Sequence, residues 1–239
     1  KLEIKLTGIL TTRAHGEGDD LTFARQIAPN VSAPIHQHLF CMRLDMAIDG
    51  NANNVVEVNT EALPPGPENP YNTAFAARET LLTSEHSAMR ETNSSSSRYW
   101  RIEHSEKTNR LGRPTAYRLL PSSTPTMFAS ADSPHAQRAA FAKHNLWVTP
   151  TVQAERYAAG DYPTQRNAGE GLPKYTAEDR PVSDTDITVW HSFGLTHDAR
   201  LEDYPVMPTE YAGFLLVPDG FFERNPAIDV PPSSTDHCH

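Results

Sequence analysis

Ile35-His36-Gln37-His38-Leu39-Phe40-Cys41-Met42-Arg43-Leu44-Asp45-Met46-Ala47-Ile48, closed by Asp49-Gly50, is the stretch on which the reading of this chain turns. It reads as a β-strand ending in a dipeptide that favours tight turns. Successive side chains of a strand point to opposite faces, so His36 and His38, two residues apart, share one face and can converge on a single ion. Two imidazoles do not complete a metal site, and a third ligand has to come from elsewhere. By itself the same pair also serves as a polar, hydrogen-bonded pair.

Around this strand the chain is rich in proline, with 20 among 239 residues, above the usual ~5 %. Proline interrupts helix interiors and central strand ladders, so short elements joined by shaped loops are expected. The opening Lys1-Leu2-Glu3-Ile4-Lys5-Leu6 alternates with period two, the pattern of a strand with one buried face. It starts without a preceding turn, as a chain cut in mid-sheet would. Further strands are predicted at 74–82, 99–104, 115–120, 146–152, 187–193 and 211–217. A polar, Pro-rich loop is predicted after Gly50, through Asn51–Asn54 and Pro64-Pro65-Gly66-Pro67, and a hairpin end at Asn93-Ser94-Ser95-Ser96-Ser97. One helical stretch, 133–141, has Ser133 as cap and Pro134 at its first position. No repeat or linker divides the chain, so residues 1–239 read as one domain, mainly β, with an extended tail from Pro231 to His239 lying over the surface.

Composition narrows the function. The 21 Lys+Arg against 30 Asp+Glu leave a formal charge of −9, which argues against a nucleic-acid partner, because phosphate binding needs a basic face. No apolar run approaches the ~20 residues of a membrane span. The first residues do not form a leader, and a cytoplasmic location is the expectation. Cys41 and Cys238 cannot make a disulfide framework. Cys41, beside Phe40, reads as a buried thiol, and His15, His86, His104, His135 and His144 read as surface residues. Asn30-Val31-Ser32 and Asn93-Ser94-Ser95 match the glycosylation acceptor pattern, and His237-Cys238-His239 is a tail of a type that binds copper in solution.

The third ligand has two candidates in Trp190-His191-Ser192-Phe193-Gly194-Leu195-Thr196-His197. Strand alternation places His191 and His197 on the same side, so spacing does not choose between them. Three imidazoles suit Cu, Zn, Fe or Ni and leave positions open for water or dioxygen. Met207, ten residues on, reads as a core thioether near the site.

Ala33-Pro34-Ile35-His36-Gln37-His38-Leu39-Phe40 with Arg43-Leu44-Asp45-Met46-Ala47-Ile48-Asp49-Gly50 resembles the copper-binding strand of the copper amine oxidases. Gly194-Leu195-Thr196-His197 with Arg200-Leu201-Glu202-Asp203-Tyr204-Pro205-Val206-Met207-Pro208 resembles the segment that carries that family's third ligand, with Tyr204 where Trp is usual. Phe221-Phe222-Glu223-Arg224-Asn225-Pro226 resembles its closing segment. Leu146-Trp147-Val148-Thr149 and the stretch from Asn167 to Pro173 are similar to the bacterial-type members. The resemblance runs in order from about Lys1 to the C-terminus. It implies a large antiparallel β-sandwich, here the C-terminal half of the catalytic domain. It also implies Cu2+ on His36, His38 and His197, with His191 at a non-ligand position. A second, peripheral site for Ca2+, Na+ or Mn2+ would use Asp45, the Met46 carbonyl, Asp186 and the Ile187 carbonyl, oxygen donors of the kind hard cations take. The implied reaction is oxidative deamination of primary amines by O2, giving aldehyde, ammonia and hydrogen peroxide, in a homodimer held by hairpin arms. The stretch 81–120 is the candidate arm.

The family's catalytic group is topaquinone, made from a tyrosine in an Asn-Tyr-acidic/Asn-Tyr motif. None of the eight tyrosines (71, 99, 117, 157, 162, 175, 204 and 211) stands in that motif. Asn69-Pro70-Tyr71-Asn72 is the nearest match and follows the His-Gln-His strand, where the family's tyrosine precedes it. No catalytic residue is therefore assigned within the chain: the quinone tyrosine and the aspartate base are expected upstream. The sequence fits, in this order, a fragment of a longer chain, one chain of a split enzyme, or a quinone-free homologue. A cupin-type oxygenase would need an acidic ligand about four residues after His38, where Met42 stands. A non-catalytic three-His copper subunit is the stronger alternative.

Overall fold

A computed structural model describes residues 1–165 and 168–232. The Asn167 end of one motif and the tail from Ser233 to His239, with Cys238 and its flanking histidines, lie outside the described residues. Among the described residues twelve strands run in the order β1 (Leu2–Gly8), β2 (Arg13–Ala14), β3 (Ala24–Ala28), β4 (Val31–Pro34), β5 (His36–Met46), β6 (Asn53–Ala62), β7 (Phe75–Leu82), β8 (Tyr99–Thr108), β9 (Pro114–Pro121), β10 (Leu146–Pro150), β11 (Ile187–His197) and β12 (Met207–Asp219). They form a six-stranded sheet, β1-β12-β9-β8-β6-β7, and two three-stranded sheets, β10-β11-β5 and β2-β4-β3. All the ladders are antiparallel.

The main core lies between the six-stranded sheet and β10-β11-β5. Val55, Trp100, Ile102, Leu119 and Phe214 from one side meet Met46, Leu146, Val148, Val189 and Phe193 from the other. Two sheets each bury one apolar face against the other, which is the β-sandwich solution. Strand β11 is buried nearly throughout because it is covered twice. Its even-facing neighbour Trp190 packs on the far side with Trp147 and Leu172. The alternation of β1 matches the expected strand, half-buried and exposed by turns.

The Asp49-Gly50 turn carries the chain from one sheet to the other. Asp49 and Gly50 adopt φ of 55° and 141°. The buried Asn53 side chain clamps the turn, accepting from Ile48 N (2.9 Å) and donating to the Gly50 carbonyl (2.9 Å). A Cβ on Gly50 would stand 3.0 Å from His104 Nε2, so glycine answers both the backbone and the space there.

Several expectations need correction. The region after Gly50 is not a continuous loop, because Asn53–Ala62 forms β6, in the interior of the six-stranded sheet. Its polar residues misled because Glu57, though buried, is satisfied by Arg90 (2.7 and 2.9 Å), Arg98 (3.2 Å) and Trp100 Nε1 (3.2 Å). Residues 93–97 are not a hairpin end. The strands on either side of them, β7 and β8, pair with opposite edges of β6, so 81–120 is not a single arm. The hairpins here are β6–β7 and β8–β9. His104 is buried rather than on the surface, with Nδ1 accepting from the Glu106 and Lys107 backbones (3.1 and 3.0 Å). The expected helix is shorter: Pro134–Arg138, with Ser133 Oγ accepting from Ala136 N, then a 3-10 turn Ala140–Lys143.

Candidate metal centre

Strands β5 and β11 are paired over eleven positions, with His197 opposite His36 and Leu195 opposite His38. One face of this two-strand unit runs His191, Phe193, Leu195, His197 on β11 and Met42, Phe40, His38, His36 on β5. Its inner part is apolar: Phe40 lies against Phe193, and Phe193 against Phe214 of the opposite sheet. At the outer end of the same face the side chains become imidazoles. Register therefore decides what spacing left open. His191 shares the face but lies six residues from His197, about 20 Å along an extended strand, whereas His197 faces His36 directly.

The three rings converge. One nitrogen from each of His36, His38 and His197 lies within 4.8 Å of the others, and the His36 and His38 Nε2 atoms are 3.0 Å apart. Two nitrogens bound at about 2.0 Å to one ion, at angles between square-planar and tetrahedral, stand roughly 2.8–3.3 Å apart, so the spacing fits a shared metal. The other ring nitrogen of His36 and of His197 is already engaged. His36 Nδ1 donates to the Pro34 carbonyl (2.9 Å), which leaves the lone pair on Nε2. His197 Nε2 donates to Asp203 Oδ2 (3.1 Å), and its Nδ1 is buried with no hydrogen-bond partner. A buried, unpartnered nitrogen on a ring that converges with two others is what a ligand set looks like. Burial, followed by the nearby His36 and His197 rings, pushes the His38 imidazole below its usual range and favours the neutral form that can ligate.

The support around the site is built from both faces of β5. Gln37, between the two histidines, points the other way. Its amide donates to the Thr126 carbonyl (3.1 Å) and its Oε1 accepts from Phe128 N (2.9 Å), tying the loop after β9 to the ligand strand. Arg25 of β3 holds Asp198, the residue after His197, in a bidentate pair (2.7 and 2.9 Å). The sequence assigns Asp203 no role; its spacing of three residues from Arg200 is the one signal there.

The other predicted residues are placed as follows. Met207 packs against Leu10, Ile27, Ala33 and Ala199 in a small second core. Asp45, Met46, Asp186 and Ile187 come together at the opposite end of the β5–β11 ladder, where Met46 pairs with Ile187 and Asp45 with Thr188. Asp45 lies 3.5 Å from Arg43, and Asp186 accepts from Asn51 (3.4 Å). Met42 packs against the main core. Tyr71 stands 84 % exposed on the loop joining β6 and β7, in the sheet that does not carry the histidines. Burial pushes the Cys41 thiol up to about 12, the range of an inert thiol. Among the described residues no helix is long and apolar enough to cross a membrane.

His191 is a core residue. It is fully buried, stacked on Phe193 and edge-on to Phe214 and Trp100, with Nδ1 donating to the Asn145 carbonyl (2.8 Å). Burial lowers its pKa from 6.5 to about 4. Between those values the unfolded chain binds a proton that the native state does not, so stability falls as the pH drops from 6.5 to 4. The full effect is about 3 kcal/mol. Urea unfolding of copper-free protein at pH 7 and pH 4.5 is expected to show a smaller loss in His191→Gln than in the wild type. An equal loss in both would assign the pH dependence to other groups.

The family model for the copper amine oxidase enzyme domain matches residues 1–237. The chain is 48 % identical to histamine oxidase of Arthrobacter globiformis, covering all of this chain and 35 % of the relative. It is 46 % identical to the copper-containing, peroxisomal diamine oxidase 1 of Nicotiana tabacum, covering 97 % of this chain and 30 % of the relative. The structure is similar to a copper-containing benzylamine oxidase from Hansenula polymorpha, with TM-score 0.90 and 33 % identity over 97 % of this chain and 37 % of that one. The chain thus spans about a third of the length of these relatives. With the register, the converging rings and the matches in agreement, the chain belongs to the copper amine oxidase family.

Proposed function

We propose that this chain holds one Cu2+ through His36 Nε2, His38 Nε2 and His197 Nδ1, and that the full-length protein carries out oxidative deamination of primary amines. The observation that carries this is the convergence of three imidazole nitrogens within 4.8 Å, two of them with the other ring nitrogen committed to a protein acceptor. When bound, copper and topaquinone supply the oxygen chemistry and the electron sink that turn a primary amine and O2 into aldehyde, ammonia and hydrogen peroxide. The part of this chain is positional. The β5–β11 ladder brings the rings to one end of an apolar face, and the core beneath them limits water on the inner side. The topaquinone tyrosine and the aspartate base belong to a segment or chain outside this sequence. This is supported by the absence of the Asn-Tyr motif from all eight tyrosines and by relatives about three times as long as the match. Asp45, the Met46 carbonyl, Asp186 and the Ile187 carbonyl form a weaker oxygen site for Ca2+, Na+ or Mn2+. The full-length protein acts as a homodimer, a reading supported by the β6–β7 hairpin, whose outer strand is exposed along most of its length.

Phenylhydrazine titration of the copper-loaded, full-length protein tests the proposal. A stoichiometric adduct with visible absorbance is expected. Copper bound in one equivalent without any adduct would replace the oxidase reading with that of a quinone-free, three-His copper protein.

A further inference from the structure

Strand β11 is paired on both sides only as far as His191. Strand β10 begins at Leu146, opposite His191. From Ser192 to His197, β11 therefore has β5 on one side and, among the described residues, no strand on the other. Residues of an antiparallel strand turn their N–H and C=O groups to one neighbour and then the other. Those of Ser192 and Gly194 face the open side. Both residues are buried, and a buried backbone group without a partner is costly.

Side chains take the place of the missing strand. Ser192 N donates to the Asn145 carbonyl (2.9 Å), and the Ser192 carbonyl accepts from Asn145 Nδ2 (3.2 Å). At Gly194 one hydroxyl does both jobs: Thr124 Oγ1 accepts from the N–H (2.7 Å) and donates to the C=O (3.2 Å). This needs a donor and an acceptor at a single atom, which valine, of the same shape, lacks. The same loop also holds β5, since Gln37 Oε1 accepts from Phe128 N (2.9 Å) and its amide donates to the Thr126 carbonyl (3.1 Å). Residues 124–128 thus bridge the two strands at the level of the histidines. Gly194 stands opposite Leu39, next to His38, and Gln37 lies between His36 and His38.

We propose that residues 124–128 form a clamp that pre-positions the metal centre, with Thr124 as its positioning residue on β11. The hydroxyl holds the free edge of β11 so that His197 stays opposite His36 before any ion binds. This rests on the copper reading above. Without the hydroxyl the end of β11 loosens in the copper-free protein, and part of the binding free energy goes into restoring the ladder. Two hydrogen bonds lost at one place correspond to a copper affinity weaker by about tenfold.

The test uses the full-length protein with Thr124→Val, Thr124→Ser, Gln37→Leu and Thr151→Val. The readouts are copper affinity in chelator competition, Cu(II) EPR, and thermal melting of the copper-free form. Thr151 Oγ1 meets Thr188 Oγ1 (3.1 Å) at the far end of β11, so Thr151→Val removes a hydroxyl contact away from the imidazoles. Thr124→Val is expected to bind copper about tenfold more weakly with a changed EPR spectrum, while Thr124→Ser and Thr151→Val stay near the wild type. Gln37→Leu releases the loop from β5 and is expected to weaken copper in the same way; it decides the matter if Thr124→Val does not fold. Wild-type affinity and spectrum in the deciding variant, with only a lower melting temperature, overturn the proposal. An equal loss of affinity in Thr124→Ser or Thr151→Val also overturns it, because the effect would then not belong to the hydroxyl at Gly194. These results leave the copper reading standing. Failure of the wild-type protein to take up one equivalent of copper removes that reading and the clamp with it.

Discussion

Alanine at position 197 is expected to remove stoichiometric copper from the full-length protein, and the phenylhydrazine adduct with it. His36 and His38 would remain as a pair on one strand, two ligands where the centre needs three. The buried Asp203 carboxylate would also lose one of its three donors, a loss of about 1–3 kcal/mol in its own right. Metal analysis after dialysis against a weak chelator should find about one copper per chain in the wild type and almost none in the variant. His191→Gln is the matched control. It removes a histidine from the same strand and the same face, but one whose ring lies in the aromatic core, and it should keep its copper. Full retention in His197→Ala would refute the ligand assignment.

Gly194→Ala is expected to be as damaging without touching a ligand. A Cβ at this position would lie 1.9 Å from the His38 carbonyl oxygen and 3.0 Å from its carbon. These are backbone atoms of the paired strand and cannot swing aside, so β5 and β11 would have to separate where the three imidazoles meet. The glycine is held on its other side as well, with Gly194 N donating to Thr124 Oγ1 (2.7 Å) and its carbonyl accepting from the same hydroxyl (3.2 Å). Overpacking of this kind costs about 3 kcal/mol or more. Thermal melting should fall clearly, and copper should be lost even below the melting transition, because the register that opposes His197 to His36 is broken first. A variant with wild-type melting and wild-type copper would show that the ladder can slide to accommodate the methyl group.

Most of the strands were legible because period-two alternation and Pro or Gly boundaries are local properties. Strand β6 was not, because Asn53 and Glu57 look like loop residues until Asn53 clamps the turn at Ile48 and Gly50 and Glu57 receives Arg90, Arg98 and Trp100 from more than thirty residues away. His104 was hidden for the same reason. Its neighbours Ser105, Glu106 and Lys107 are polar, yet the backbone N–H groups of Glu106 and Lys107 are what permits its burial. The serine run at 93–97 was misassigned because a polar tip says nothing about which strands it joins. Here Asn93 caps a 3-10 turn and Ser96 donates to Asn59 of β6 (2.7 Å).

From the sequence alone, the pairing of His36 with His38 on one strand face followed from the two-residue period of extended backbone, and the motifs around them identified the family. The sequence left two histidines of β11 on the same face and could not rank them by spacing. Only the ladder, joining residues about 160 positions apart, put His197 beside His36 and sent His191 into the core. The free nitrogen of the His36 and His197 rings was likewise a tertiary outcome, set by the Pro34 carbonyl and the Asp203 carboxylate. Alternation is dictated by covalent geometry within a few residues, whereas register and tautomer depend on hydrogen-bond partners that folding brings from elsewhere in the chain.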